Sequence, residues 1–193
     1  MLFRSGSVPE TVLQYWLRKQ LAVDVDDVEI IHQGAAQVQQ ALLTGAVDGA
    51  AILEPIVTIA LERVEGAKVV ARGSEMFPGQ PGAILAVRES LVRDHPDLVA
   101  ALVNTHERAT GVLNGDPAAA AIPVQVYVGG GRLAVETVEV AIESSTGSFV
   151  ADPNFIVAGT TAMRDFQAEI GTLKAKVDVE ELFDTSFYDA LNR

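Results

Sequence analysis

The chain has 193 residues, 49 % of them apolar, which is enough for one ordinary domain or two small ones with a packed core. Its net charge is −12 with no cluster of Lys or Arg, which argues against nucleic acid and anionic membrane surfaces as partners. It has no cysteine, which excludes disulfides, thiolate metal sites and cysteine nucleophiles, and no run approaches the roughly 18 continuous apolar residues of a membrane span.

Residues 1–4 read as the end of a strand whose start is missing, with no signal peptide ahead of it. Ser7-Val8-Pro9-Glu10 then fits a capping box, in which Ser7 and Glu10 satisfy each other's backbone donors. The helix it opens runs to about Gln20, with Val12, Leu13, Trp16 and Leu17 on its buried stripe. Residues 28–55 carry the densest pattern: a strand at 28–31, a helix at 37–43 stopped by Gly45, and a second apolar strand at 47–53. Glu54 and Pro55 follow, with Pro55 suited to the first turn of a helix over 56–64. In such a unit the loops after the strands gather at one end of the sheet, and ligands bind there. A further strand is predicted at 67–71, a Gly- and Pro-rich loop at 72–82, and another strand at 83–87.

Beyond residue 88 the texture becomes helical. Pro96 opens a helix to about Leu113, and Asn114-Gly115-Asp116-Pro117 closes it and starts another, whose interior Pro123 should break. Gly129-Gly130-Gly131 reads as loop and 133–142 as helix. Asp152-Pro153 caps a helix to about Ile170, stopped by Gly171, and the tail holds a short helix with Phe183, Phe187 and Tyr188.

GSVP at a helix start, then ALLTGAVDGAAILEP, then GAILAVRESLVRDHPDLVAALVNTHERATGVLNGDP, then DPNF and a closing ELFDTSFYDAL carry a family resemblance nearly end to end. In this order they resemble the substrate-binding proteins of ABC importers for nitrate, sulfonates, taurine and thiamine precursors. No single motif decides it; the ordered set does. The resemblance implies an α/β, periplasmic-binding-protein-like (type II) fold, with one near-complete α/β lobe plus the helical remainder of the other. Residues 1–82 would form the second α/β lobe, and 83–193 the return strand and helical C-terminal part of the first lobe. The opening strands of the first lobe, the export signal and a lipid anchor would be absent, so the chain reads as N-terminally truncated. The implied function is a solute-binding component that captures a small sulfonate, nitrate or nitrogen-containing heterocycle in an interlobe cleft and delivers it to a membrane permease. The implied compartment is periplasmic or extracellular and membrane-associated, with the membrane reached only through the permease or the absent anchor. Leu53 departs from the aromatic that many members carry before the acid-proline pair.

The candidate ligand residues are Gly6, Ser7, Gln33 and Glu54. Gly6 and Ser7 open a helix, so their N–H groups and the Ser7 hydroxyl suit a sulfonate, nitrate or carboxylate; the same residues also suit an ordinary cap. Glu54 either caps the following helix or faces a cationic or N–H-bearing end of the ligand. Gln33 follows a strand, where side chains point into a cleft, and His32 beside it either donates to the ligand or is a partly buried strand residue. Trp16 either stacks on a ring or belongs to the core. No pair of histidines has metal-ligand spacing, so neither metal nor cofactor is expected. Ser7 has no histidine placed to activate it, so no catalytic residue is assigned and the chain reads as a non-enzyme. Two alternatives stay open: an enzyme of thiamine-precursor or related cofactor biosynthesis on the same fold, and a fragment without independent function. A regulator's effector domain would need a helix-turn-helix, which the sequence lacks.

Overall fold

The computed structural model describes residues 6–128, 130–175 and 177–191. The strand end expected at residues 1–4 lies outside them, as does Gly129 of the expected glycine loop. Ten α-helices follow in chain order among the described residues: α1 (Val8–Tyr15), α2 (Ala35–Leu43), α3 (Ile56–Arg63), α4 (Gly73–Met76), α5 (Glu89–Asp94), α6 (Pro96–Gly115), α7 (Pro117–Val128), α8 (Val135–Ser144), α9 (Asn154–Glu169) and α10 (Ser186–Leu191). A π-helical segment, Trp16–Gln20, continues α1.

The strands expected at 28–31, 47–53, 67–71 and 83–87 are not formed. Apart from an isolated bridge position at Gly34, the described residues contain no strand. Helix accounts for 60 % of the described residues, so the α/β expectation is met only in its helical half. The physical reason is the lack of pairing: no backbone hydrogen bond joins any two of these runs among the described residues. β-branched residues favour extended backbone, but a ladder needs a neighbour about 4.8 Å away. Several of their side chains stay open to solvent, as in Val70 at 75 % and Ile84 at 65 % exposure, while Ile30 and Ile52 are half-buried.

The described chain divides into two compact units. One comprises the residues up to Gln80 together with Ala162–Val177; the other comprises Pro81–Thr161 and the segment from Asp178 onward. Helix α9 therefore gives its first half to the second unit and its second half to the first.

In the first unit Val12, Phe77 and Met163 are buried together, with Val8, Tyr15 and Met76 packed against them. The Tyr15 ring lies 4.3 Å from that of Phe77 and meets Phe166 edge-on at 5.2 Å, geometries that favour aromatic pairs. Polar contacts tie α9 to α1 and to the π segment: Gln167 Nε2 donates to Thr11 Oγ1 at 3.0 Å, and Lys19 Nζ reaches Glu169 Oε1 at 2.6 Å. Gln20 Nε2 donates to the carbonyls of Glu75 and Met76, fixing α4 to the end of the π segment.

In the second unit α7 packs on α8 through Ala120, Ala121, Val138 and Ile142. Pro123 does not break α7, which runs through it. Pro123 is exposed, so the helix bond it forfeits is lost on a solvent-facing side, where water can satisfy the carbonyl. Asn114 clips the loop after α8, donating to the Phe149 carbonyl at 2.8 Å and accepting from the Gly147 N–H at 3.1 Å. Along α6 one side is buried at Val99 and Thr110, while Leu98, Leu102 and Val112 face solvent.

Candidate functional site

The start of α1 holds two of the candidates. Ser7 has the extended backbone of a helix-capping residue (φ −70°, ψ 157°), and its carbonyl accepts the first helical bond from Thr11 N–H at 2.9 Å. The expected capping box is only half formed, and it is shifted by one residue. Glu10 reaches back past Ser7 and accepts the Gly6 N–H on Oε2 at 2.5 Å. Gly6 has φ +82°, a conformation that glycine adopts without a Cβ penalty and that brings its N–H onto Glu10. The Ser7 hydroxyl makes no capping bond; its Oγ is buried without a partner among the described residues.

The Glu10 carboxylate gathers further contacts. Its other oxygen, Oε1, accepts from Gln14 Nε2 at 3.0 Å and lies 3.2 Å from His32 Nε2. Glu10 is only 9 % exposed, while His32 is 40 % exposed. The structure thus brings Gly6, Ser7, Glu10 and His32 together. Sequence reasoning placed Glu10 only as a cap, and His32 either as a donor beside Gln33 or as a partly buried strand residue. Their pairing spans 22 positions, and no local spacing signals it.

Charge decides what such a helix start can hold. The helix end favours an anion by about 0.3–1 kcal/mol at an exposed site. Two like charges about 4 Å apart at an effective dielectric of about 20 repel by about 4 kcal/mol. A carboxylate fixed at the helix start therefore outweighs the helix dipole for a second anion placed beside it. Pro9 removes one further donor from the first turn.

Gln33 is half-buried and lies directly before Gly34, the residue that caps α2. The strand that was to aim it is not formed, so its orientation toward a ligand has no support from the backbone. Glu54 stands at the head of a different helix. Its Oε2 accepts the Thr58 N–H at 3.0 Å and the Thr58 hydroxyl at 2.9 Å, which caps α3. Glu54 itself is half-buried, and Thr58 is 3 % exposed. Trp16 is half-buried where α1 passes into the π segment. A shallow, solvent-open depression along α6, lined by Thr105, Arg108, Val112 and Asp116, contains none of the candidates. Among the described residues no cluster of three or more His, Asp or Glu side chains is arranged to hold a metal ion.

A family model described as the NMT1-like family matches residues 3–128, well over half of the chain. The chain belongs to the NMT1-like family. The match takes in the helix start at Gly6-Ser7, the Glu10–His32 contact, Gln33 and the Glu54-Pro55 pair. The chain is also similar to proteins named "Putative binding protein" in Brucella abortus (strain 2308) and Brucella suis biovar 1 (strain 1330). Each is 23 % identical over 195 residues, covering 96 % of this chain and 59 % of the relative. The "Nitrate import ATP-binding protein NrtC" of Synechococcus elongatus is 28 % identical over 111 residues, covering 58 % of this chain and 16 % of that protein. The chain spans about three-fifths of the length of the Brucella relatives. No solved structure matches it. Proteins of this family are typically extracellular or periplasmic. No helix among the described residues is long and apolar enough to cross a membrane.

The Ser7 hydroxyl provides a stability test. Replacing a capping serine by alanine ordinarily costs about 0.5–2 kcal/mol. Here the hydroxyl caps nothing and is buried without a partner among the described residues, so Ser7→Ala is expected to leave stability unchanged or raise it. Urea unfolding checks this; a loss of about 1 kcal/mol would mean that Ser7 caps α1 in solution.

Proposed function

We propose that this chain serves as the solute-binding component of an ABC importer, holding a small ligand at the helix starts of Gly6-Ser7 and Glu54 and delivering it to a membrane permease from the periplasmic or extracellular side. The observation that carries the reading is the NMT1-like match over residues 3–128, because it covers these helix starts in one continuous stretch. The relative named for nitrate import supports the importer context. In this reading the unit that holds the residues up to Gln80 together with Ala162–Val177 gathers the ligand. Gln33 is retained as a ligand contact because it adjoins His32 and is half-buried. The chain binds its ligand without transforming it.

Thermal melts against nitrate, taurine, ethanesulfonate and 4-aminopyrimidine test this. A ligand at a hundred times its Kd stabilises the folded state by about 2.7 kcal/mol. At least one of these probes is therefore expected to raise the melting temperature by several degrees. Unchanged melts with all four, together with no heat of binding by calorimetry, would overturn the reading.

A further inference from the structure

We propose that a second copy of this chain docks antiparallel along α6, each copy seating its Leu98 in the open depression on the other's helix. The spacing on α6 calls for a helix as the occupant. Leu98, Leu102, Thr105, Ala109 and Val112 follow at alternating steps of four and three residues, the 3.5-residue period at which two helices share a seam. All five are exposed, Leu98 by 51 % and Val112 by 49 %. The Thr105 hydroxyl donates back to the Ala101 carbonyl at 2.8 Å, so it needs no acceptor from a partner. Val99 and Thr110, which α6 buries within its own unit, belong to a different stripe.

Shape and charge select a copy of the same helix. In a helix seam each large side chain enters a hole between four residues of the facing helix. Thr105, Arg108, Ala109 and Val112 stand at i, i+3, i+4 and i+7 and line the depression on α6, so they make such a hole, with the small Ala109 in it. The other half of the seam supplies the large side chains. Leu98 of one copy set opposite Ala109 of the other also sets Leu102 opposite Thr105, and the two-fold axis repeats both contacts. Large then faces small at every layer, whereas a parallel pairing sets leucine on leucine and leaves the hole unfilled. Asp97 and Arg108 lie three turns apart on one flank of the seam. The antiparallel register brings Arg108 of one copy within about a turn of Asp97 of the other. Both are exposed, and neither has an ion-pair partner among the described residues. The seam carries no carboxylate, so the net charge of −12 opposes this contact less than one through an acidic face. From Leu98 to Val112 it is about 22 Å long. That places it among interfaces under about 1,200 Å², with a dissociation constant on the order of 10–100 micromolar.

Sedimentation equilibrium of the chain from about 5 to 500 micromolar tests this. A reversible monomer–dimer equilibrium without larger species is expected, because a two-fold contact closes on itself. Leu98→Glu brings a carboxylate to the hole and is expected to raise the dissociation constant at least about tenfold. Asp97→Arg is expected to weaken the dimer several-fold, and the double variant Asp97→Arg with Arg108→Asp to restore it. The chain has no cysteine, so the orientation can be read by oxidation. Leu98→Cys combined with Ala109→Cys is expected to crosslink as a dimer. Leu98→Cys alone is expected to stay uncrosslinked, because the two copies' positions 98 stand about 16 Å apart along the seam, beyond a disulfide's reach. A chain that stays monomeric over the whole range overturns the proposal without any variant. So do open-ended assemblies, a dimer that Leu98→Glu leaves untouched, and crosslinking by Leu98→Cys alone.

Discussion

Phe77→Ala is expected to lower the stability of the chain by about 3–5 kcal/mol, the usual range for truncating a buried aromatic. Phe77 is 2 % exposed and packs against Val12 and Met163. Its ring also lies 4.3 Å from that of Tyr15. Three sequence-distant segments meet on this one side chain: α1, the turn after α4, and the second half of α9. The cavity left by alanine would therefore open between segments that are each held elsewhere, by Gln20 on α4 and by Lys19 and Gln167 on α9, and they could not close over it fully. Domains of this size are stable by about 5–15 kcal/mol in total, so the loss is a large fraction of what holds the first unit. Urea unfolding should show a lower midpoint at unchanged slope. Phe77→Leu, which keeps most of the volume, should cost under about 1.5 kcal/mol. A loss below about 1 kcal/mol for the alanine variant would mean that this segment does not pack on α1 in solution.

Phe77 also shows where the sequence could not be read. Residues 72–82 carry Gly73, Pro78, Gly79, Pro81 and Gly82, so the segment reads as plain loop. The structure places the short helix α4 there and the buried Phe77 just after it. The available signal was the apolar pair Met76-Phe77 inside otherwise polar punctuation. Helices were legible because their information is local: Pro96 and the apolar spacing beyond it define α6, and Asp152 caps the start of α9 by accepting from the Asn154 N–H at 2.9 Å. Strands were not, because a β-branched run such as Val28, Ile30 and Ile31 states a preference while the ladder depends on a partner elsewhere. Pro123 misled in the opposite direction: its cost is real, but the packing of Ala120 and Ala121 on α8 outweighs it. At the site, the helix starts were legible and the Glu10–His32 contact was not.

The second large effect concerns Glu54, where two roles make different demands. As a cap, Glu54 satisfies both the Thr58 N–H and the buried Thr58 hydroxyl through Oε2. Glu54→Ala removes both acceptors at once, so a loss of about 1–3 kcal/mol in stability is expected whatever else Glu54 does. Glu54→Gln keeps a carbonyl oxygen that can accept from Thr58, so its melting temperature should stay close to that of the parent. The binding role depends on the charge, which both variants remove. A charge-assisted hydrogen bond is worth about 1.5–3 kcal/mol, so losing it should weaken an amine or amino-heterocycle by roughly ten- to a hundredfold or somewhat more. The glutamine variant thus separates the two roles, which alanine alone cannot do. Calorimetric titration with 4-aminopyrimidine and taurine, run beside thermal melts, should show Glu54→Gln folding like the parent and binding more weakly. If Glu54→Gln melts with the parent and binds equally tightly, Glu54 is a helix cap alone, and the ligand's cationic or N–H-bearing end must be held by other groups.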